Sequence, residues 1–196
     1  FIANNYYHKA DKRNIKILEI GCGIGANIWY CAREGFQVFG VDGSPSAIKK
    51  CKARLDVEIP GWNGELLVGD IVSLPYENNK FDAVIDNEAI AHNSFEDSKE
   101  IYAEAARVLK IGGRIFSRTF SKGTWGYNTG NLVGHNAWTV AEGPMKGHCK
   151  YIRFTEFNEI KELLINFKVE NIEKLTRTLE NRNHEIEEWL IHGLKH

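Results

Sequence analysis

Short apolar runs alternate with segments of helical spacing over residues 15–120. The runs are rich in Ile, Val, Leu and Phe, which is typical of buried β-strands. They cover 15–21, 37–42, 65–70, 81–88 and 114–120. The segments that predict helices cover 24–34, 44–56 and 95–110. Strands separated by helices predict an α/β fold, in which helices cover both faces of a doubly wound, mostly parallel sheet.

The last third of the chain follows a different pattern. Residues 121–150 contain six glycines and no clear periodicity. Thirty such residues are long for a simple connection, which favours a functional or partly structured segment. Residues 154–167 then show helical spacing, with Thr155 as the expected N-cap. Two further segments, 168–179 and 185–195, predict strands that pair antiparallel across the short turn at 181–183.

Length and composition are those of a globular protein. The chain has 196 residues, of which 43% are apolar and 26% charged, so we expect one domain over residues 1–196. No apolar run reaches the roughly 18 residues that a membrane helix needs, and we expect a cytoplasmic location without a membrane partner. The chain begins with Phe1 rather than Met, which leaves open whether an N-terminal segment precedes it.

Charge and cysteine content limit the kinds of partner and metal site that we expect. The net charge is −1, whereas a nucleic-acid binder usually carries a basic face, so we expect no nucleic-acid partner. The four cysteines form no C-x-x-C pairs, which predicts reduced thiols rather than a zinc site or disulfides. The basic residues near the fifth strand are expected to be mostly solvated: Arg107, Lys110, Arg114, Arg118 and Lys122.

The sequence EIGCGIGAN at 19–27 follows the first predicted strand directly. Glycines in this position let a ligand approach the backbone. Gly21, Gly23 and Ala26 fit the dinucleotide pattern G-x-G-x-x-A, and Asp42 lies about 20 residues further on, where an acidic residue holds a ribose. Taken alone, these residues leave both NAD and S-adenosylmethionine as candidate ligands.

Three further features favour S-adenosylmethionine. Glu19 lies at the end of the strand, and a carboxylate there suits a cationic sulfonium and ammonium but would repel a pyrophosphate. Asp70 ends the third strand, where its carboxylate can accept a hydrogen bond from an adenine amino group. The predicted C-terminal strand pair is antiparallel, whereas a dinucleotide fold would more naturally continue with parallel units.

Four motifs together resemble the class I S-adenosylmethionine-dependent methyltransferases, of the small bacterial type that acts on metabolites. They are ILEIGCGIG at 17–25, VDGS at 41–44, GDIVSLPYENNKFDAVI at 69–85 and ARVLKIGGRIF at 106–116. Their order and spacing cover residues 15–120. The resemblance implies a Rossmann-like, seven-stranded sheet with a reversed last strand, and S-adenosyl-L-methionine as the cofactor.

The resemblance also implies a role for residues at the strand ends and in the glycine loop. The methionine portion of the cofactor would contact Glu19, Gly21, Cys22, Gly23, Asp86 and Asn87. The ribose would contact Asp42, with Gly43 and Ser44 beside it. The adenine would contact Asp70 and Ile71. The alternative for Asp42 and Asp70 is that each is only a favourable charge at a helix N-terminus.

His92 and Glu88 are candidate catalytic bases because they follow the fourth strand, at the expected mouth of the cofactor pocket. Methyl transfer to a hydroxyl benefits from a general base, and an imidazole titrates near neutrality. A neutral amine acceptor needs little such help, since the enzyme mainly aligns the reactants. The alternative is that His92 only packs against the cofactor or caps the helix that begins near Ser94.

Motifs that the chain lacks argue against some classes of methyl acceptor. The sequence DNEA at 86–89 replaces the N/D-P-P-Y/F turn that usually goes with amino-purine methylation. The sequence SRTFSK at 117–122 lacks the acidic ligands of metal-dependent catechol-type enzymes, so we expect no metal. A small metabolite remains, with a sugar or another hydroxylated intermediate favoured.

Residues 121–150 are expected to form a lid on the acceptor side, with His135, His148 and several aromatic residues. The alternative is a surface excursion with no role in binding the acceptor. Two rival functions also stay open, an NAD-dependent oxidoreductase and a non-catalytic S-adenosylmethionine-binding module. The sequence predicts no oligomeric state.

Overall fold

Seven strands form one sheet in the computed structural model, which describes residues 1–9, 11–147 and 149–196. Among these residues the strands are β1 (Lys16–Ile20), β2 (Gln37–Asp42), β3 (Gly64–Val68), β4 (Phe81–Asn87), β5 (Leu109–Phe120), β6 (Leu132–Gly134), β7 (Ala137–Trp138), β8 (Ile152–Arg153), β9 (Phe167–Leu179) and β10 (His184–Lys195). The large sheet has the order β3-β2-β1-β4-β5-β10-β9, and β6, β7 and β8 form a small separate sheet. The first five strands of the large sheet are parallel, whereas β10 runs antiparallel to both β5 and β9. The predicted α/β sheet with a C-terminal antiparallel hairpin is confirmed.

Helices cover both faces of this sheet. They are α1 (Ile2–Tyr6), α2 (Ala26–Arg33), α3 (Pro45–Glu58), α4 (Phe95–Val108) and α5 (Ile160–Leu163). Successive side chains of β1 point to opposite faces. Ile17 packs in the apolar cluster that includes α2 and α3, and Leu18 packs in the cluster that includes α4. Both side chains are fully buried, as expected for a central strand covered on both sides.

Serine residues cap the two longest helices. The Oγ of Ser44 accepts a hydrogen bond of 3.3 Å from the amide of Ala47, and the Oγ of Ser94 accepts one of 3.0 Å from the amide of Asp97. Pro45 occupies the first helical position, where no N–H is needed. The predicted start of α3 is therefore confirmed, and it fixes the turn that follows β2.

The end of α4 differs from its prediction. The helix predicted over 95–110 ends at Val108, and β5 begins at Leu109 instead of residue 114. Leu109 pairs with Phe81 of β4, and an irregularity that includes Gly112, at φ +76°, then shifts the register. Pairing with β4 has overridden the local helical spacing at these positions.

The helix predicted over 154–167 is also much shorter. A 3₁₀ turn, Phe157–Glu159, leads into the single turn of α5. The N-cap is Glu156, which forms a capping box with Glu159. The predicted cap, Thr155, is instead buried in an isolated β-bridge with Ser121, so tertiary pairing removes it from the helix.

The glycine-rich segment 121–150 contributes β6 and β7 and is anchored by aromatic packing. Trp125 and Trp138 pack against the cluster that contains the buried Phe154. The Trp125 ring also stacks on His184 of β10, with the ring centroids 3.6 Å apart. The segment is thereby attached to the end of the large sheet where β5 stops and β10 starts.

The five basic residues near β5 each pair with a carboxylate, contrary to the expectation that most would be solvated. The pairs are Arg107–Glu104, Lys110–Asp82, Arg114–Glu170, Arg118–Glu188 and Lys122–Glu156. Four of the five ion pairs join residues that are far apart in sequence. Such pairs cannot be predicted from the positions of charged residues along the chain.

Three of the four cysteines, Cys22, Cys31 and Cys51, are buried in the apolar cluster that includes α2 and α3. All four cysteines lie in described ranges, and they form no disulfide. Burial raises the pKa of each of these three thiols, which makes them poor nucleophiles. Over the residues that the structure describes, no helix is long and apolar enough to cross a membrane.

Candidate cofactor and catalytic site

A cavity of about 630 Å³ opens at the carboxyl ends of the parallel strands. The chain runs outward from β1 to β3 and returns to β4 on the other side of β1, so β1 and β4 form the switch point of the sheet. Open α/β sheets bind ligands at this point, and small-molecule sites usually measure about 300–1,000 Å³. The wall consists of Gly21, Asp42, Gly43, Val68, Gly69, Asp70, Ile71, Asn87, Glu88, Ala89 and His92.

The glycine loop is held against the end of β2 and leaves space for a ligand above it. The amides of Gly21 and Cys22 both donate to the carbonyl oxygen of Val41, at 2.8 and 3.1 Å. Gly21 has φ +65°, and a Cβ there would lie 2.2 Å from the Cβ of Ala89. A side chain at this position would therefore clash with the chain that follows β4, in addition to straining the backbone.

Asp42 lies on the cavity wall with both carboxylate oxygens fixed by backbone amides. Its Oδ2 accepts a hydrogen bond of 2.7 Å from Gly23, and its Oδ1 accepts one of 2.8 Å from Ser44. Each carboxylate oxygen can accept more than one hydrogen bond. The carboxylate is thus oriented in advance and keeps acceptor capacity for the two hydroxyls of a ribose.

The part of the cavity wall at the end of β3 combines one carboxylate with apolar surface. Asp70 accepts a hydrogen bond of 3.0 Å from the amide of Val72 through Oδ1, which fixes the direction of its carboxylate. Ile71 and Val68 provide the apolar part of the wall, and Val68 is 52% exposed. A flat aromatic base needs such an apolar surface together with an acceptor for its amino group.

Glu19 does not reach the cavity wall but lies buried beneath the glycine loop. Its Oε1 accepts a hydrogen bond of 2.6 Å from Nδ2 of Asn27, whereas its Oε2 is buried without a partner among the described residues. Burial raises the pKa of Glu19 to about 7. An unpartnered buried carboxylate oxygen fits a nearby cationic ligand, whose charge would favour the ionised form.

Asp86 is fully buried and also lies off the cavity wall. It accepts a hydrogen bond of 2.6 Å from Oγ of Ser117 and one of 3.1 Å from the amide of Ile90. Burial raises its pKa to about 6. These bonds fix the 3₁₀ turn Ile90–His92, so Asp86 supports the site from behind, whereas the next residue, Asn87, is exposed on the wall.

Three other predicted site residues lie behind the wall. Cys22 is buried against β2, and Gly23 and Ser44 donate their amides to Asp42. The sequence pattern thus marks residues that shape the loop as well as residues that line the cavity. The structure brings these groups together around Asp42.

Glu88 lines the cavity in a strained backbone conformation, with φ +71°. The Nε of Arg118 lies 3.2 Å from its carboxylate, and Nη2 of the same side chain lies 2.6 Å from the fully buried carboxylate of Glu188. Burial and a hydrogen bond with Glu188 raise the pKa of Glu88 to about 7. The guanidinium of Arg118 therefore contacts two carboxylates. Because Glu88 is already engaged in this pair, it is less available to take a proton from an acceptor than an unpaired carboxylate would be.

His92 also lines the cavity, at the end of the 3₁₀ turn after β4. The protein surrounding its imidazole lowers the pKa of His92 by desolvation, partly offset by a hydrogen bond with the backbone of Tyr151. The ring is consequently neutral at pH 7 and can accept a proton.

Sequence reasoning missed three wall residues, Val68, Gly69 and Ala89. Val68 ends an apolar run, which predicts a core residue. In the structure it is exposed because β3 is an edge strand of the sheet. Ala89 carries no distinctive chemistry, and its role follows only from its proximity to Gly21.

Of the two histidines expected in the lid, His135 does not line the cavity described above. His135 pairs with Glu159 and packs on Phe95, with ring centroids 4.7 Å apart. His148 lies outside the described residues. The described residues also contain no group of three or more His, Cys, Asp or Glu side chains with the geometry of a metal site.

Comparison with known sequences identifies a methyltransferase domain. Residues 17–113, about half of the chain, match the family model of that description. A phthiotriol/phenolphthiotriol dimycocerosates methyltransferase from Mycobacterium leprae is 34% identical over 117 residues, which cover 57% of this chain and 41% of the relative. Norajmaline N-methyltransferase from Rauvolfia serpentina is 30% identical over 112 residues, which cover 57% of this chain and 38% of the relative. The match thus covers about two fifths of the length of these relatives.

A solved structure shares the whole fold. A SAM-dependent methyltransferase from Methanosarcina mazei aligns with a TM-score of 0.79 and 22% identity, covering 99% of this chain and 96% of that chain. This similarity shows the fold, and the family match spans the glycine loop together with Asp42 and Asp70. The dinucleotide alternative is therefore not supported. The chain belongs to the class I S-adenosylmethionine-dependent methyltransferases, whose cofactor is S-adenosyl-L-methionine.

Proposed function

We propose that this chain transfers a methyl group from S-adenosylmethionine to an oxygen or nitrogen atom of a small metabolite, with a sugar or another hydroxylated intermediate favoured. One observation carries the proposal. Among the residues that line the cavity, Asp42 and Asp70 follow β2 and β3 on one side of β1, whereas Glu88 and His92 follow β4 on the other side. Their arrangement matches a site in which one end binds a nucleoside and the other receives an acceptor.

Residues of the wall have distinct roles in this proposal. Asp42 binds the ribose hydroxyls, and Asp70 accepts a hydrogen bond from the adenine amino group while Val68 and Ile71 contact its ring. Glu19, beneath the loop, supplies negative charge near the cationic portion. This assignment is supported by the buried oxygen of Glu19 that has no hydrogen-bond partner among the residues that the structure describes.

When bound, the cofactor supplies a methyl carbon that the sulfonium has already activated toward displacement. The protein then has to orient the acceptor and exclude water, which can contribute several kcal/mol. His92 is the preferred base for a hydroxyl acceptor because its lowered pKa keeps it neutral at pH 7. Glu88 is the weaker candidate, since Arg118 and Glu188 already engage it.

Residues 121–150 are proposed to cover the acceptor side of this single domain. The stacking of Trp125 on His184 supports the proposal, since it holds the segment beside the carboxyl end of β5. A small molecule rather than a nucleic acid is the proposed acceptor, in keeping with a net charge of −1 and with basic side chains that are already paired.

The test combines cofactor binding with turnover. Calorimetric titration of the wild-type chain with S-adenosylhomocysteine should show binding, titration with NAD should show none, and Asp42→Ala should abolish the first signal. Asp56→Ala is a matched control, because Asp56 is an exposed carboxylate of α3 outside the cavity. NAD binding in place of S-adenosylhomocysteine binding would contradict the proposal.

Turnover separates an enzyme from a non-catalytic binder with the same fold. Radiolabelled S-adenosylmethionine is incubated with a pool of hydroxylated and amino metabolites, and transfer of the label is measured. Transfer that His92→Gln slows supports the proposed chemistry. Cofactor binding without transfer to any member of a broad pool would favour the binding module instead.

A further inference from the structure

Strand β9 is a long, open edge of the large sheet. It spans thirteen residues and has only one neighbour, β10, so its outer row of backbone N–H and C=O groups faces away from the sheet. Most of its residues are exposed. Proteins usually shorten, bend or cover such an edge, because it can pair with a strand of another molecule.

The regular part of β9 is symmetric in charge about one apolar residue. An irregularity in its pairing with β10 lies between Val169 and Asn171, which leaves residues 171–179 in unbroken register. The middle of this stretch is Leu175, whose side chain is 42% exposed. Glu173 and Arg177 lie two residues to either side of it, on the same face of the sheet.

These two charged side chains form no ion pair within the described part of the chain, although Nδ2 of Asn171 donates to Glu173. Their neighbour Lys174 points to the other face and pairs with Glu187 of β10. On this face of residues 171–179, the strand therefore presents one anion, Glu173, and one cation, Arg177, at equal distances along the strand from the exposed Leu175.

We propose that β9 pairs antiparallel with β9 of a second copy of this chain, about a two-fold axis through Leu175. Residues directly opposite each other in such a pair share a face, so their numbers must sum to a constant even value. With the axis at Leu175, the two Leu175 side chains meet and each Glu173 lies opposite an Arg177. The two seven-stranded sheets then form one continuous sheet.

Three neighbouring registers are disfavoured by charge. An axis at Glu173, Lys174 or Arg177 would place two like charges directly opposite each other, which destabilises strand pairing. An axis at Ile172 would use the irregular part of the strand at one end. An axis at Thr176 would leave Glu173, Lys174 and Arg177 each opposite an uncharged residue. Within the regular stretch, only the axis at Leu175 places Glu173 opposite Arg177, and this is the register that the charges favour.

This interface lies outside the cofactor part of the proposed site, although the positive charge of Arg177 partly offsets the rise in the pKa of Glu88, which lines the cavity. The cofactor cavity lies at the ends of β1 to β4, and β10 and β5 separate β9 from β4. The dimer therefore requires no bound cofactor and leaves the cavity open. A failure of methyl transfer would not affect the inference, because the oligomeric state alone tests it.

Sedimentation velocity of the wild-type chain over a concentration series tests the dimer. We expect a reversible dimer for the wild type and a monomer for both Glu173→Arg and Arg177→Glu, because each single change places like charges opposite each other. The double variant Glu173→Arg with Arg177→Glu restores opposite charges and should dimerise again. An equimolar mixture of the two single variants should also dimerise, because each strand then presents only one sign of charge to the other.

Controls separate this register from a general effect of charge. Glu58→Arg and Arg54→Glu make the same changes on exposed positions of α3 and should leave the dimer intact. Circular dichroism of every variant checks folding. A wild type that stays monomeric over the whole series, or a dimer that the single reversals do not weaken, would overturn the proposal.

Discussion

The carboxylate of Asp42 accepts a hydrogen bond of 2.7 Å from the backbone amide of Gly23. Asp42 ends β2 and Gly23 lies in the loop after β1, so this bond joins the two segments that shape the cavity. The second oxygen of Asp42 is fixed by Ser44. The proposed ribose-binding group is thus also a structural link.

Replacing Asp42 by Asn should therefore reduce both binding and stability. An amide has one acceptor oxygen, so Gly23 or Ser44 loses its partner, which lowers the free energy of unfolding by about 1–3 kcal/mol. The affinity for S-adenosylhomocysteine should fall roughly 10- to 100-fold with loss of the charged acceptor. Calorimetry and urea unfolding measure the two effects, and the exposed Asp56→Asn should leave the affinity unchanged.

Gly21→Ala tests the close approach of the glycine loop to Ala89. The positive φ disfavours alanine by about 1–2 kcal/mol, and the clash with Ala89 adds about 1–3 kcal/mol. Gly61→Ala is the matched control, because Gly61 has φ +80° and open space around its Cβ position. We expect Gly61→Ala to show only the smaller loss, and equal losses in urea unfolding would show that the clash is absent.

The buried carboxyl of Glu19 should make stability depend on pH. Its pKa is raised by burial from 4.5 to about 7, so between these values the folded chain holds a proton that the unfolded chain has released. The free energy of unfolding should therefore fall as the pH rises from about 4.5 to 7, by up to about 3 kcal/mol, and then level off.

Glu19→Gln should remove this contribution, because its amide does not titrate. Urea unfolding at pH 5, 6, 7 and 8 would show a shallower decline for the variant than for the wild type. Glu58→Gln, an exposed carboxylate on α3, should retain the wild-type slope. A decline that is unchanged in Glu19→Gln would mean that other groups, Asp86 among them, cause it.

His92 should control the acidic side of the pH–rate profile for a hydroxyl acceptor. Desolvation lowers its pKa, so the rate should rise with pH at values below the ordinary titration range of histidine and be constant near pH 7. His92→Gln should lower kcat by about 10²–10⁴-fold and remove this rise. A variant with the wild-type rate and profile would exclude His92 as the base.

Trp125 should determine how firmly the glycine-rich segment is held. Trp125→Leu removes the stacking on His184 while keeping an apolar side chain. Hydrogen exchange should then become faster both around residue 125 and in the turn between β9 and β10, with little change in the affinity for S-adenosylhomocysteine. Faster exchange in only one of these two regions would show that the stack does not couple them.

Most of the parallel sheet could be predicted because its signals are local. The apolar run of β1 and the serine cap of α3 depend on neighbours in sequence, and both occur as expected. The helix predicted over 154–167 is shorter in the structure. At its start, pairing between Thr155 and Ser121 outweighs the local helical spacing. Helical propensity is a weak preference that tertiary contacts can override.

The sequence by itself determined the order of strands and helices, the glycine loop and the acidic residues at the strand ends. Periodicity, capping and conformational freedom are properties of adjacent residues. Only the tertiary structure decided that Glu19 and Asp86 lie behind the cavity wall, that Val68 lies on it, and that Arg118 faces both Glu88 and Glu188. Burial and ion pairing depend on segments that are distant along the chain and meet only when the sheet forms.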